Sequence, residues 1–160
     1  MEPTFNVFII VNRPRHDVFE AVADPKELSS YFTTGGASAR LEQGATVTWD
    51  FADFPGAFPV HVTEVVADEK IVFNWQANEP GSDYQLQVTF RFTDIDEGRT
   101  KVEVEEAGWR STEAAVKASY GNCMGWAQML AALKMWAEHR INLRDGAYKS
   151  PDRPSRERIP

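Results

Sequence analysis

The chain has little cysteine, little histidine, no excess of positive charge and no long apolar run. Cys123 is the one cysteine among 160 residues, so an intramolecular disulfide and a cysteine-based zinc site are both excluded. The three histidines, His16, His61 and His139, are far apart, and no HExxH, H-x-E or clustered-carboxylate pattern accompanies them. No metal site is expected. There is no G-x-S-x-G, and Gly35-Gly36 sits in a loop rather than between a strand and a helix. Neither a catalytic residue nor a cofactor is therefore expected. With 17 Lys and Arg against 24 Asp and Glu, the net charge is −7. Nucleic acid is excluded as the main partner, because phosphate binding needs a basic face, and so is adhesion to anionic lipid by charge. The opening stretch "MEPTFNVFIIVNRPRHDVF" has no basic leader and no cleavable apolar core. Its apolar run is too short to cross a bilayer. The expectation is a cytoplasmic protein that does not insert into membranes.

What is present is apolar alternation. Phe5, Val7, Ile9 and Val11 share one face of a first strand. "NRPRHDVFEAVADP" follows, with Val18, Phe19 and Val22 at helical spacing, and Asp24-Pro25 ends that helix. "KELSSYF" reads as a second short helix with Leu28, Tyr31 and Phe32 inward. Strands follow through Val47, Trp49 and Phe51; through Val60 and Val62 after a Pro55-Gly56 turn; and through Ile71, Phe73 and Trp75. Tyr84, Leu86, Val88, Phe90 and Phe92 give the cleanest alternation, continued by Val102 and Val104. Polar residues occupy the other phase, as an antiparallel sheet with one wet face requires. The last element is a long helix starting between Thr112 and Ala118, with Ser111 as its candidate N-cap. The fold class is α+β: a curved antiparallel sheet of six to seven strands, two short helices after the first strand, and one long C-terminal helix covering the sheet. Residues 1–143 form a single domain. Residues 144–160 hold three prolines and five basic against three acidic residues, and read as a flexible tail.

The stretch "GNCMGWAQMLAALKMWAEH" decides what the helix is for. On a helical wheel Cys123, Trp126, Met129, Leu130, Leu133, Trp136 and Ala137 fall in one sector, so one face is core. In that sector Cys123 reads as a small hydrophobe rather than a nucleophile. Gly121 and Gly125 stack one turn apart, where each costs about 1 kcal/mol relative to alanine. They signal a close backbone approach, a bend, or space left open beside the helix.

Four stretches, "PRHDVFEAVADPKELSSYF", "VTEVVADEKIVFNW", "VTFRFTDIDEGRTKVEVEEAGW" and "GWAQMLAALKMWAE", occur in an order that resembles the SRPBCC, or START-like, superfamily with the helix-grip fold. Within it the chain is most similar to the family of activators of the ninety-kilodalton heat-shock chaperone's ATPase. The likeness spans nearly all of residues 5 to 142. One departure is Tyr31-Phe32, where that family often carries tryptophan. The resemblance implies a sheet wrapped around the long helix with a hydrophobic cavity between them. It does not imply one activity, since members of the superfamily include lipid carriers, cyclases and hydrolases.

Three functions follow, in order. The first is a binding module for a small hydrophobic or amphipathic, lipid-like molecule. Its ligand-binding residues would be Trp49, Phe51, Phe73, Trp75, Tyr84, Met124 and Met129, because large aromatics and adaptable methionines make apolar pockets. The second is a cyclase- or hydrolase-type enzyme using one or two polar groups such as Tyr84, Glu106 or His139. The third is a co-chaperone with a chaperone partner. It stands last because the eukaryotic activator carries an additional N-terminal domain for which these 160 residues leave no room. Asp50, Asp53, Glu64 and Glu106 are the candidate pocket acids. Strand periodicity turns Asp50 outward and keeps Glu64 and Glu106 inward only if no bulge intervenes.

Overall fold

The computed structural model describes residues 1–149. The elements run β1 (Phe5–Val11), α1 (Arg15–Ala23), α2 (Pro25–Ser29), β2 (Gly36–Ala37), β3 (Thr46–Phe51), β4 (Phe54–Val66), β5 (Lys70–Gln76), β6 (Gln85–Asp96), β7 (Arg99–Ala107) and α3 (Glu113–His139). All seven strands form one antiparallel sheet in the order β1-β7-β6-β5-β4-β3-β2. From β2 to β7 each strand pairs with its sequence neighbour, as short hairpin connections favour. The two helices between β1 and β2 let β1 close the other edge against β7.

The core lies between the concave sheet face and α3. Val88, Phe90, Val102 and Val104 from the sheet are fully buried, as is Leu133 from the helix. Trp126 meets Trp75 at 5.2 Å and Phe90 at 5.5 Å between ring centroids, separations at which aromatic pairs attract. Helix α3 begins with Thr112 as N-cap, its hydroxyl accepting from the Ala115 amide at 3.1 Å. Ser111, the residue the sequence favours, lies one position outside. The far end is pinned to α2: Glu27 accepts from the Trp136 indole at 2.8 Å and from Arg140 at 2.5 Å.

Two local expectations change. The β3–β4 turn falls at Ala52-Asp53, and Pro55-Gly56 lies inside β4. The hairpin closes earlier than the Pro-Gly pair suggests because Phe51 pairs with Phe54. The second helix stops at Ser29; Tyr31 and Phe32 are buried beyond it, with the Tyr31 hydroxyl donating to the Ala21 carbonyl at 2.9 Å. No helix among the described residues is long and apolar enough to cross a membrane.

Candidate functional site

At one end of the sheet, α3 and the strands diverge. They leave a cavity of about 670 Å³, within the size range of small-molecule sites. Its apolar walls come from three regions. Phe32 follows α2, Phe51 and Phe58 come from β3 and β4, and Trp75 and Trp126 form the inner wall from β5 and α3. Phe51 and Phe58 stack at 5.8 Å with planes 27° apart. Gly121 and Gly125 form part of the α3 side, and a Cβ built on either would meet nothing within 4 Å. Of the three explanations for these glycines, open space is the one that fits.

Polar groups at the cavity are few. Asn122 and Gln128 come from α3, Gln76 and Asn78 from the end of β5, and Arg144 from the segment after α3. Arg144 is well covered. Its guanidinium donates to Asp53 Oδ1 through Nε at 3.3 Å and Nη2 at 3.0 Å. It also lies over the rings of Phe51 at 4.5 Å and Tyr148 at 4.8 Å, close enough for cation–π attraction. Asp53 Oδ2 is buried with no partner among the described residues. The expected tail starts at this residue, so its first part lies against the cavity; residues 150–160 fall outside the described residues.

Behind the inner wall is Glu106, fully buried in β7. Its Oε2 accepts from the indole N–H of Trp126 at 2.9 Å and of Trp75 at 3.3 Å. Its Oε1 accepts from the Trp109 indole at 3.1 Å and from Asn122 Nδ2 at 2.9 Å. Burial pushes its pKa above the ordinary carboxylate value, and the four donors oppose that rise. Gly108, at φ +100°, turns the chain after β7 in a region that suits glycine, and Trp109 returns to the carboxylate. The condition on Glu106 is met: the β6–β7 irregularity lies at Asp94/Asp96, far from it. For Glu64 it is not. A register shift between Val62 and Glu64 frees Glu64 to pair with Lys70 at 2.7 Å.

The ligand-binding residues named from sequence separate into three groups. Phe51, Trp75 and Met124 line the cavity. Trp49, Phe73 and Met129 are buried in the core behind it, and Trp49 touches Phe73 and Phe32. Tyr84 packs with Leu86, Ala77 and Trp109 in a smaller cluster, under the Arg110 guanidinium at 4.3 Å. Phe32 and Phe58, which are not among those seven, also line the cavity. Their apolar phase was visible, but period alone does not separate a wall from a core. Nothing in the sequence signals Arg144, which follows the last element. Of the scattered histidines, His61 contacts Thr46 on the outer face, and His16 pairs with Asp68 at 2.9 Å. No group of three or more metal-ligating side chains occurs among the described residues.

A family model described as Activator of Hsp90 ATPase homolog 1-like protein matches residues 12–138. The crystal structure of a Staphylococcus saprophyticus protein superposes with a TM-score of 0.75 at 27% identity, covering 89% of this chain and 96% of that one. The Aha1 dimer from Colwellia psychrerythraea matches with TM-score 0.69 at 19% identity, over 86% of this chain and 97% of its own. An Hsp90 activator from Plasmodium falciparum matches with TM-score 0.64 at 21% identity, over 78% and 88%. No curated protein sequence matches.

Proposed function

This chain belongs to the Activator of Hsp90 ATPase homolog 1-like family, within the SRPBCC superfamily, and on that premise we propose that it is a binding module for a small hydrophobic or amphipathic molecule. The observation that carries this reading is the cavity of about 670 Å³, bordered on the α3 side by two glycines whose missing side chains face open space. A helix that only packed on the sheet would gain about 1 kcal/mol from alanine at each position. Aromatic walls with a few amides suit a ligand that is held mainly by desolvation and oriented by few hydrogen bonds. A ligand of about 20 heavy atoms, at roughly 0.3 kcal/mol per atom, binds in the range of tens of micromolar. We place the protein in the cytoplasm on the strength of its composition.

The test is titration with fatty acids, sterols and fluorescent aromatics, monitored by tryptophan emission and backbone amide shifts. Trp75 and Trp126 line the cavity, so binding should change their emission and move the amides of residues 121–128. Gly125→Leu should abolish both responses and keep the fold. A panel that moves none of these signals would overturn the reading.

The co-chaperone reading is second. The matched family description and the likeness to the Plasmodium falciparum Hsp90 activator favour it. Its measurement is the ATPase rate of a purified Hsp90 with and without this protein; an unchanged rate removes it.

A further inference from the structure

Two amides at the cavity have their orientation set by what their NH2 groups touch. Asn122 donates through Nδ2 to Glu106 Oε1 at 2.9 Å. That carboxylate already receives three indole N–H groups, and when ionised it can only accept. Gln76 donates through Nε2 to the Ser82 carbonyl at 2.8 Å, another group that can only accept. The oxygen and nitrogen of a side-chain amide are assigned from their partners, and here acceptor-only partners leave a single assignment. Asn122 Oδ1 and Gln76 Oε1 are therefore the arms of these amides not committed to those partners. Both residues line the cavity. Neither oxygen takes part in a hydrogen bond among the described residues.

We propose that the cavity selects an aromatic ligand that donates a hydrogen bond, through a hydroxyl or N–H group, to Asn122 Oδ1, with Glu106 as the positioning residue that keeps this oxygen turned to the cavity. The inference rests on the binding reading above and adds the polarity of the ligand. The aromatic walls accept a flat body. The inner amide, held against the Trp75–Trp126 wall by Glu106, favours a donor over an acceptor of similar shape. An unsatisfied acceptor facing an ether or carbonyl oxygen would lose its water and gain no partner.

The probes are 2-naphthol, which donates, and 2-methoxynaphthalene, which offers the same ring system and only accepts. Both are titrated at pH 8, above the carboxylate range. An apolar wall alone would favour the more hydrophobic ether. The expected result is the opposite order, with 2-naphthol about fivefold tighter, the effect of one net hydrogen bond. Asn122→Leu should erase the preference. Because that variant removes one donor from Glu106 and can fail to fold, wild-type protein gives an independent readout. Intermolecular NOEs should run from the Asn122 NH2 protons to the hydroxyl-bearing edge of 2-naphthol. Equal affinities, a preference that survives in folded Asn122→Leu, or NOEs to the far edge would each overturn the inference. If neither probe moves the amides of residues 121–128 while other members of the wider panel do, this inference fails alone. If nothing in the panel moves them, the binding reading fails as well.

Discussion

Glu106 receives four N–H groups and, among the described residues, forms no ion pair. Each carboxylate oxygen takes two donors, which matches its lone pairs. Glu106→Gln should therefore destabilise, although it is nearly isosteric and removes a buried charge. The new amide can accept at one oxygen only, and its NH2 would face two N–H donors: the Trp75 and Trp126 indoles if it takes the Oε2 position, the Trp109 indole and the Asn122 amide if it takes the Oε1 position. The expected cost at neutral pH is roughly 2–4 kcal/mol in denaturant unfolding. A variant as stable as wild type would mean that the residue is held as the neutral acid. The pH dependence has a definite sign. Burial raises the folded pKa above the unfolded value, so the folded state holds the proton more tightly than the unfolded chain. The contribution of Glu106 is then most favourable below the unfolded pKa of about 4.3 and is lost as pH rises through the folded value. Glu20, Asp96 and Glu138, with lowered pKa values, contribute stability that is present above their unfolded values and lost as pH falls through their folded ones. A carbon-detected titration of Glu106 should accordingly give a midpoint above those of these three groups.

Helix α3 joins two jobs that period 3.6 alone does not separate. Trp126, Met129, Leu130 and Leu133 are buried by spacing, and this much was legible, as were the sheet, its alternation and the antiparallel order. The cavity face of α3 was legible through Met124 and through Gly121 and Gly125, whose cost to the helix asks for a reason. Sequence placed Trp49, Phe73 and Met129 in the wall, whereas they pack behind it. The distinction depends on where the curved sheet separates from the helix, and that is a property of curvature rather than of alternation. Glu106 was within reach because its phase was inward, but its partners come from β5, from α3 and from the turn after Gly108. No local pattern announces such a convergence. At the element scale the glycines give the decisive test. Gly121→Ala adds a methyl group that meets nothing within 4 Å. It should stabilise the helix by up to about 1 kcal/mol, read as a higher unfolding midpoint. Unchanged or lower stability would mean that the backbone there needs glycine for a reason other than space.

For the whole molecule, the cavity is completed by chain that composition assigns to a tail. After α3 the backbone turns at Arg140, whose φ is 57°, and carries Arg144 back to Asp53 in the β3–β4 turn. The side chains of Arg144 and Asp53 are 12% and 16% exposed, so the pair is more sheltered than most ion pairs among the described residues. A sheltered pair of this kind differs from a surface salt bridge, which is worth little, because removing one partner leaves the other poorly solvated. The aromatic contacts add to it: the guanidinium covers the Phe51 ring, and Tyr148 lies near Phe54 at 6.4 Å. Sequence reasoning could not place this contact, because an arginine beyond the last periodic element has no phase from which to infer a partner. Arg144→Ala should lower stability by about 1–3 kcal/mol and open the cavity beside Phe51, so that an apolar probe both enters and leaves faster in stopped-flow tryptophan fluorescence. Asp53→Asn should reproduce part of the stability loss, and the double variant should cost less than the two single losses added together, because the partners share one interaction. If Arg144→Ala instead melts with the wild type and exchanges probe at the same rate, the segment after α3 does not form part of the cavity wall in solution, and the site is bounded by the sheet and helix alone.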